Sequence, residues 1–173
     1  MLTGLMAATL SHDDGRRFVE LGWNLERIDM TARLLSSCLA DPAATSSWVS
    51  VLRSCGSHEA FLRTYRRAAD GPTVAEFLLL DRLFPRSAHS ALTMVERLLA
   101  ELDTTSKTTS APHVHVQDEA RQIAGRTRAS LEFQIIDELM NHLPALLSLL
   151  QDSCSTISAH ITQRYFPHHA LSR

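Results

Sequence analysis

Lysine is nearly absent from the 173-residue chain: Lys107 stands alone beside sixteen arginines, and the net charge is −2. That bias reads as genomic codon usage, and we attach no function to it. A protein that holds nucleic acid through its phosphates normally carries a basic surplus, which is missing here, so nucleic acid is excluded as a partner class. Cysteine is scarce too. Cys38, Cys55 and Cys154 are odd in number, far apart and without a C-x-x-C pair, which excludes a disulfide framework and a zinc knuckle and fits a reducing cytoplasm. Long apolar runs are lacking: Leu143–Leu150 is interrupted by Pro144 and Ser148 and falls far short of the roughly 20 residues a membrane span requires. The apolar opening, Met1 to Leu10, has no basic flank and runs into Asp13-Asp14, so it does not read as a signal peptide. No stretch of β-branched residues alternates with period two, which removes strands from the expectation.

What is present is helical periodicity. Phe18, Leu21, Leu25, Ile28, Ala32, Leu35 and Leu39 recur at spacings of three and four, the mark of one helical face packed on a neighbour. Asp13 or Asp14 can cap this helix, and Asp41-Pro42 stops it, because a proline disfavours helical geometry in the residue before it. The Thr45-Ser46-Ser47 cluster opens a shorter helix through Trp48, Leu52 and Cys55, with Gly56 free to take the left-handed position at its end. Ser57 opens another, with Phe61, Leu62 and Tyr65 inward. Asp70-Gly71-Pro72 breaks it, and Thr73 with Glu76 reads as a capping box before a buried Phe77-Leu78-Leu79-Leu80. From Ser87, the residues Ala88, Ala91, Leu92, Val95, Leu98, Leu99 and Leu102 keep heptad spacing, most simply against the first helix.

The Thr/Ser-rich stretch 103–117 has no apolar period and contains Pro112, which predicts a flexible internal connection. Beyond it, one helix is expected from about Asp118 to His142, with Ile123, Leu131, Ile135 and Leu139 inward. A last helix is expected from Pro144 to Tyr165, carrying Leu147, Leu150, Cys154, Ile157 and Ile161, with Pro144 in its first turn. The expected fold is all-α: a single domain over 1–173, built as a bundle of about six or seven helices with one long connection. The 45% hydrophobic content supports one contiguous core.

Plotted at roughly 100° per residue, the first helix places Gly22, Glu26, Asp29 and Arg33 in a strip beside the apolar stripe, and Trp23, Arg27, Met30 and Leu34 in a third. With apolar residues on several sides, this central helix is expected to desolvate Glu26, Asp29 and Arg33 at least in part. Unpaired buried charges cost several kcal/mol, which calls for a network: Asp29 with Arg33, and Glu26 with an arginine from another helix. Two readings stay open. The strip is either a set of surface pairs worth roughly 0.2–0.5 kcal/mol each, or the wall of a pocket orienting an amine- or carboxylate-bearing ligand. Gly22 fits a close helix crossing or the approach of such a ligand. Arg86, directly before a helix start, is placed to receive an anion, although capping alone accounts for Ser87. Arg63, Arg66 and Arg67 could meet a phosphate or an acidic partner, although such a cluster reads first as a solvated face.

His113-x-His115 and His168-His169 have no supporting ligand spacing, so neither a metal nor another cofactor is expected. Signatures of zincins, di-iron bundles, α/β-hydrolases and P-loop NTPases are all missing. An enzyme therefore stays open, and a non-catalytic role is favoured.

The segment from Phe18 to Leu35, with its Glu26-Arg27 dipeptide, resembles the alpha-E domain family of helical bacterial proteins. Phe77-Leu78-Leu79-Leu80-Asp81 with Phe84-Pro85-Arg86-Ser87 looks like a second family block. A weaker third lies in Ala124-Gly125-Arg126 and Ile136-Asp137-Glu138. The resemblance carries over Glu26, Arg27, Arg33 and Arg86 as motif positions without assigned roles, and Asp29 and Asp81 stand with them as possible polar-site positions. It implies that this chain corresponds to the second half of a longer two-half domain. It also implies company with a circularly permuted ATP-grasp amide-bond ligase and a transglutaminase-like protein. The expected partner is then such a ligase or a missing alpha-E half, with a homo-oligomer also compatible.

Overall fold

The computed structural model describes residues 14–40, 47–109, 118–135 and 138–166, and of residues 47 and 104–109 the backbone alone. Among them are seven helices: α1 (Asp14–Ala40), α2 (Ser47–Ser54), α3 (His58–Tyr65), α4 (Gly71–Leu79), α5 (Ala88–Thr109), α6 (Glu119–Glu132) and α7 (Leu139–Tyr165). No strand occurs among the described residues, so the all-α expectation stands.

The four long helices form a ring of neighbours: α1 packs on α5 and α7, α5 on α6, and α6 on α7. Their directions follow from side chains at one end of the bundle. Arg17, early in α1, reaches Glu101, late in α5 (3.4 Å), and Phe18 meets the ring of Tyr165, the last residue of α7 (5.1 Å). Arg164 of α7 binds Asp103 of α5 at 2.7 Å and lies 3.5 Å from Asp118, just before α6. Helices α1, α5, α6 and α7 therefore run up, down, up, down. Their apolar stripes point inward. Leu21, Leu25, Ile28, Ala32 and Leu35 of α1, and every heptad residue named above for α5, are buried, as are Leu147, Leu150, Cys154, Ile157 and Ile161 of α7. One polar pair interrupts the seam between α6 and α7, where buried Thr127 donates its hydroxyl to buried Ser153 at 2.9 Å.

At the opposite end, α2, α3 and α4 join α1 to α5. Phe77 is their centre: Phe84 stacks on it with centroids 4.3 Å apart, and Phe61 (5.5 Å) and Tyr65 (5.8 Å) meet it edge-on. Such aromatic pairs add about 0.5–1.5 kcal/mol each beyond the area they bury. Asp70 rather than Thr73 caps α4: its carboxylate accepts the Thr73 N–H at 3.0 Å and the Thr73 hydroxyl, and Pro72 occupies the opening turn. Phe77, Leu78 and Leu79 are buried. Ser57 stands at the start of α3, but its hydroxyl donates back to the Cys55 carbonyl, and Leu62 of α3 faces water instead of the core.

Two boundaries differ from the sequence reading. Helix α5 continues through Thr109, so residues 103–109 are helical; the remainder of the expected connection, 110–117, lies outside the described residues, as do Asp13 and Asp41-Pro42. The helix expected over 118–142 ends instead at Glu132, and α7 starts at Leu139 with Pro144 in its sixth position rather than its first turn. Between Arg126 and Leu143 there is neither glycine nor proline to stop a helix. Ile135 continued the apolar period but is 60% exposed, because the chain turns there to bring α7 back along α6. Proline removes one backbone hydrogen bond inside α7, and the buried Leu143, Leu146 and Leu147 around it hold the helix together.

Candidate functional site

Glu26 and Arg27, adjacent in sequence, face different parts of the bundle. On one flank of α1, Gly22, Leu25, Glu26, Asp29 and Arg33 line an open groove of about 410 Å³, closed on its far side by Gln151, Cys154, Ser155 and Ser158 of α7. Asp29 and Arg33 form the expected pair, with Arg33 Nε donating to Asp29 Oδ2 at 2.7 Å. The expected desolvation does not occur at Glu26, which is exposed, nor at Arg33, whose side chain is 62% exposed; Asp29, at 21%, is the most sheltered of the three. Nor does an arginine of another helix pair with Glu26 among the described residues. The Asp29 hydrogen bond and charge raise the Arg33 pKa, and the Glu26 charge adds a smaller push in the same direction. The buried face of α1 is narrower than its apolar residues suggest: α5 and α7 cover two sides of the helix and leave the strip that lines the groove open to water.

Gly22 is not at a close helix crossing. A Cβ built on it would meet nothing within 4 Å, so the glycine widens the groove mouth. Beneath the groove lies Cys154, buried, with its thiol pushed up to about 12 by burial first and then by the Asp29 carboxylate. Such a thiol stays protonated near neutrality and is a poor nucleophile. The groove thus offers carboxylates, one guanidinium, an amide and two hydroxyls, a set suited to holding a polar chain or an amine through hydrogen bonds. Among the described residues no group of three His, Cys, Asp or Glu is placed to hold a metal ion.

On the other flank, Arg27 is half-buried and donates to Asn24 Oδ1 at 3.4 Å. Burial and then the nearby Arg86 lower its pKa. Arg86 donates from Nη1 to the carbonyls of Gly56 (3.1 Å) and Cys55 (3.4 Å), and the Thr31 hydroxyl, one turn past Arg27, hydrogen-bonds the Cys55 sulfur. Asp81 belongs to neither flank. Its Oδ1 accepts the N–H groups of Leu83 (2.8 Å) and Phe84 (2.9 Å), shaping the turn that delivers Arg86 and Ser87. Ser87 Oγ in turn accepts the Ser90 N–H at the start of α5.

Arg63, Arg66 and Arg67 are exposed, as a solvated face requires. A Cβ on Gly125 would meet Glu96 of α5 at ordinary contact distance, so no close approach requires that glycine, while Ile136-Asp137 and the histidines at 113, 115, 168 and 169 lie outside the described residues. Sequence reasoning missed the α7 half of the groove. Gln151, Ser155 and Ser158 follow each other at spacings of four and three and so share a polar strip, but a single sequence does not say that this strip faces α1.

These features define a class: an up-down helical bundle whose first long helix carries a Glu-Arg pair split between an open groove and a half-buried corner. Residues 1–166 match the Alpha-E family, described as a predicted alpha-helical domain with a conserved ER motif, and the chain belongs to that family. Glu26-Arg27 is the Glu-Arg pair of its first long helix. No curated protein and no solved structure matches the chain.

Proposed function

We propose that this chain is a non-catalytic helical accessory domain that works beside an ATP-grasp amide-bond ligase in peptide or amide metabolism of the bacterial cytoplasm. On this reading the groove between α1 and α7 receives the peptide or the partner's chain. The observation that carries it is the open strip Glu26, Asp29 and Arg33 facing the polar strip Gln151, Ser155 and Ser158. Exposed charges there keep their hydration until a partner supplies matched groups, which suits selective and reversible docking. Supporting it further, the cysteine beneath the groove is held protonated, and no described helix is long and apolar enough to cross a membrane.

The test is co-expression with the neighbouring ATP-grasp protein, followed by co-purification and measurement of the complex mass. A stoichiometric complex weakened at least tenfold by Glu26→Lys or Arg33→Glu is the expected result. Absence of any complex at micromolar concentrations removes the reading. Masses that show instead a second copy of the chain or a second alpha-E half identify the alternative occupants of the groove.

A second reading has its own observation: about 410 Å³ lies within the size range of small-molecule sites. The groove would then bind a small amine- or carboxylate-bearing ligand, or act on it. Screening such compounds by thermal shift tests this. If Glu26→Ala and Arg33→Ala leave every hit unchanged while the fold persists, the groove is not the site.

A further inference from the structure

We propose that Arg27 and Arg86 together form a receiving site for an oxyanion, a phosphoryl or carboxylate group, on the flank of α1 opposite the groove. Seven arginines, at 16, 17, 33, 82, 97, 128 and 164, each have a carboxylate within 4 Å. The other eight described arginines have none; seven of them, Arg86 included, are exposed, and Arg27 alone is half-buried, bonding only the Asn24 side chain while Arg86 bonds two carbonyls. Water neutralises an exposed arginine at little cost, but for Arg27 burial, and after it the like charge of Arg86, disfavour the charged form.

The corner is also built to hold Arg86 in place. Gly56 adopts φ +60°, and a Cβ there would lie 2.5 Å from Arg86 Nη1, so the glycine makes room for the guanidinium to settle on the Cys55 and Gly56 carbonyls. The Asp81 turn and the Phe84–Phe77 stack fix the chain that carries it. On the facing side, α1 is tied to the same corner through Thr31 and Cys55. A guanidinium has five N–H donors in a planar fork. Their hydrogen bonds use Nη1 of each arginine, which leaves most donors of both forks for the oxygens of one anion. A single bound anion would supply the missing countercharge and remove the repulsion. The site is independent of the groove and of the partner proposed for it.

The full chain is titrated with inorganic phosphate and, separately, with N-acetylglycine as a carboxylate probe, each against sodium chloride at matched ionic strength. Melting temperature and calorimetry are the readouts. The expected result is saturable stabilisation by at least one probe, the stronger of the two naming the source of the oxyanion. Apparent affinity should fall at least tenfold in Arg27→Gln and in Arg86→Gln and stay unchanged in Arg97→Gln. In low-salt buffer without either probe, Arg27→Gln should melt at or above the temperature of the unaltered chain, since the repulsion is gone. A purely structural Arg27 would lower it. No response to either probe beyond sodium chloride overturns the proposal, as does a full response in Arg27→Gln. That variant decides the matter if Arg86→Gln does not fold.

Discussion

The two flanks of α1 differ in how much of the molecule is committed to them. The Glu26 flank is assembled from two helix surfaces that happen to leave a groove, with one ion pair across four residues of the same helix. The Arg27 flank is assembled from α1, the end of α2, a left-handed glycine, the Asp81 turn and an aromatic stack. Neighbouring letters of one motif, about 100° apart on a helix, thus answer to different constraints: one to solvent, the other to a three-element corner. A motif read as a unit in sequence need not act as a unit in space.

Substitutions on the two flanks should separate accordingly. The largest effect is expected for Phe77→Ala, which empties the centre of the aromatic cluster supporting the Arg86 turn and should cost about 3–5 kcal/mol in denaturant unfolding. Next is Gly56→Ala, which places a side chain at positive φ and against the Arg86 guanidinium, for a loss of about 1–2 kcal/mol. Gly22→Ala should do the opposite. Its Cβ meets open space in mid-helix, so alanine should stabilise by about 0.5–1 kcal/mol while narrowing the groove mouth and weakening whatever binds there. If both glycine substitutions change stability in the same direction, the contrast between the flanks is lost.

The smallest effect at neutral pH concerns Cys154. Its thiol titrates near 9.0 when free and near 12 when folded, so the stability it contributes is intact below about pH 9 and is lost as pH rises through about 12. Cys154→Ser should flatten part of the decline in melting temperature over that window. Tyr65, also raised to about 12 by burial and by Glu76, accounts for another part. Asp29→Asn should bring the thiol pKa down, measurable by thiolate absorbance, because the carboxylate above it is one cause of the shift. An unchanged titration would mean that the groove charges do not reach the cysteine.

Much of this architecture was legible before any coordinates. Spacings of three and four identified the buried stripes of α1, α5 and α7 residue by residue, because burial of a helical face imposes that period. Two things escaped. Where a turn is demanded by the path of the chain rather than by glycine or proline, as between α6 and α7, the apolar period runs on through Ile135 and Pro144 draws the boundary to itself. The solvation of Glu26 escaped for a different reason. Periodicity gives the direction of the buried face but not its angular width, which depends on how many helices pack around α1 and how far apart they stand. The same limit hid the meeting of Arg27 and Arg86, which come from segments 59 residues apart in sequence.

The hydroxyl pair between Thr127 and Ser153 acts as a register mark. Sliding α7 by one turn along α6 would still bury leucine on leucine, but it would strand two hydroxyls without water, at about 1–3 kcal/mol each. Ser155 and Ser158 sit two and five residues beyond Ser153 on that helix. The alignment of the groove's α7 wall with Glu26 and Asp29 is therefore set from inside the bundle, by a bond that no ligand touches.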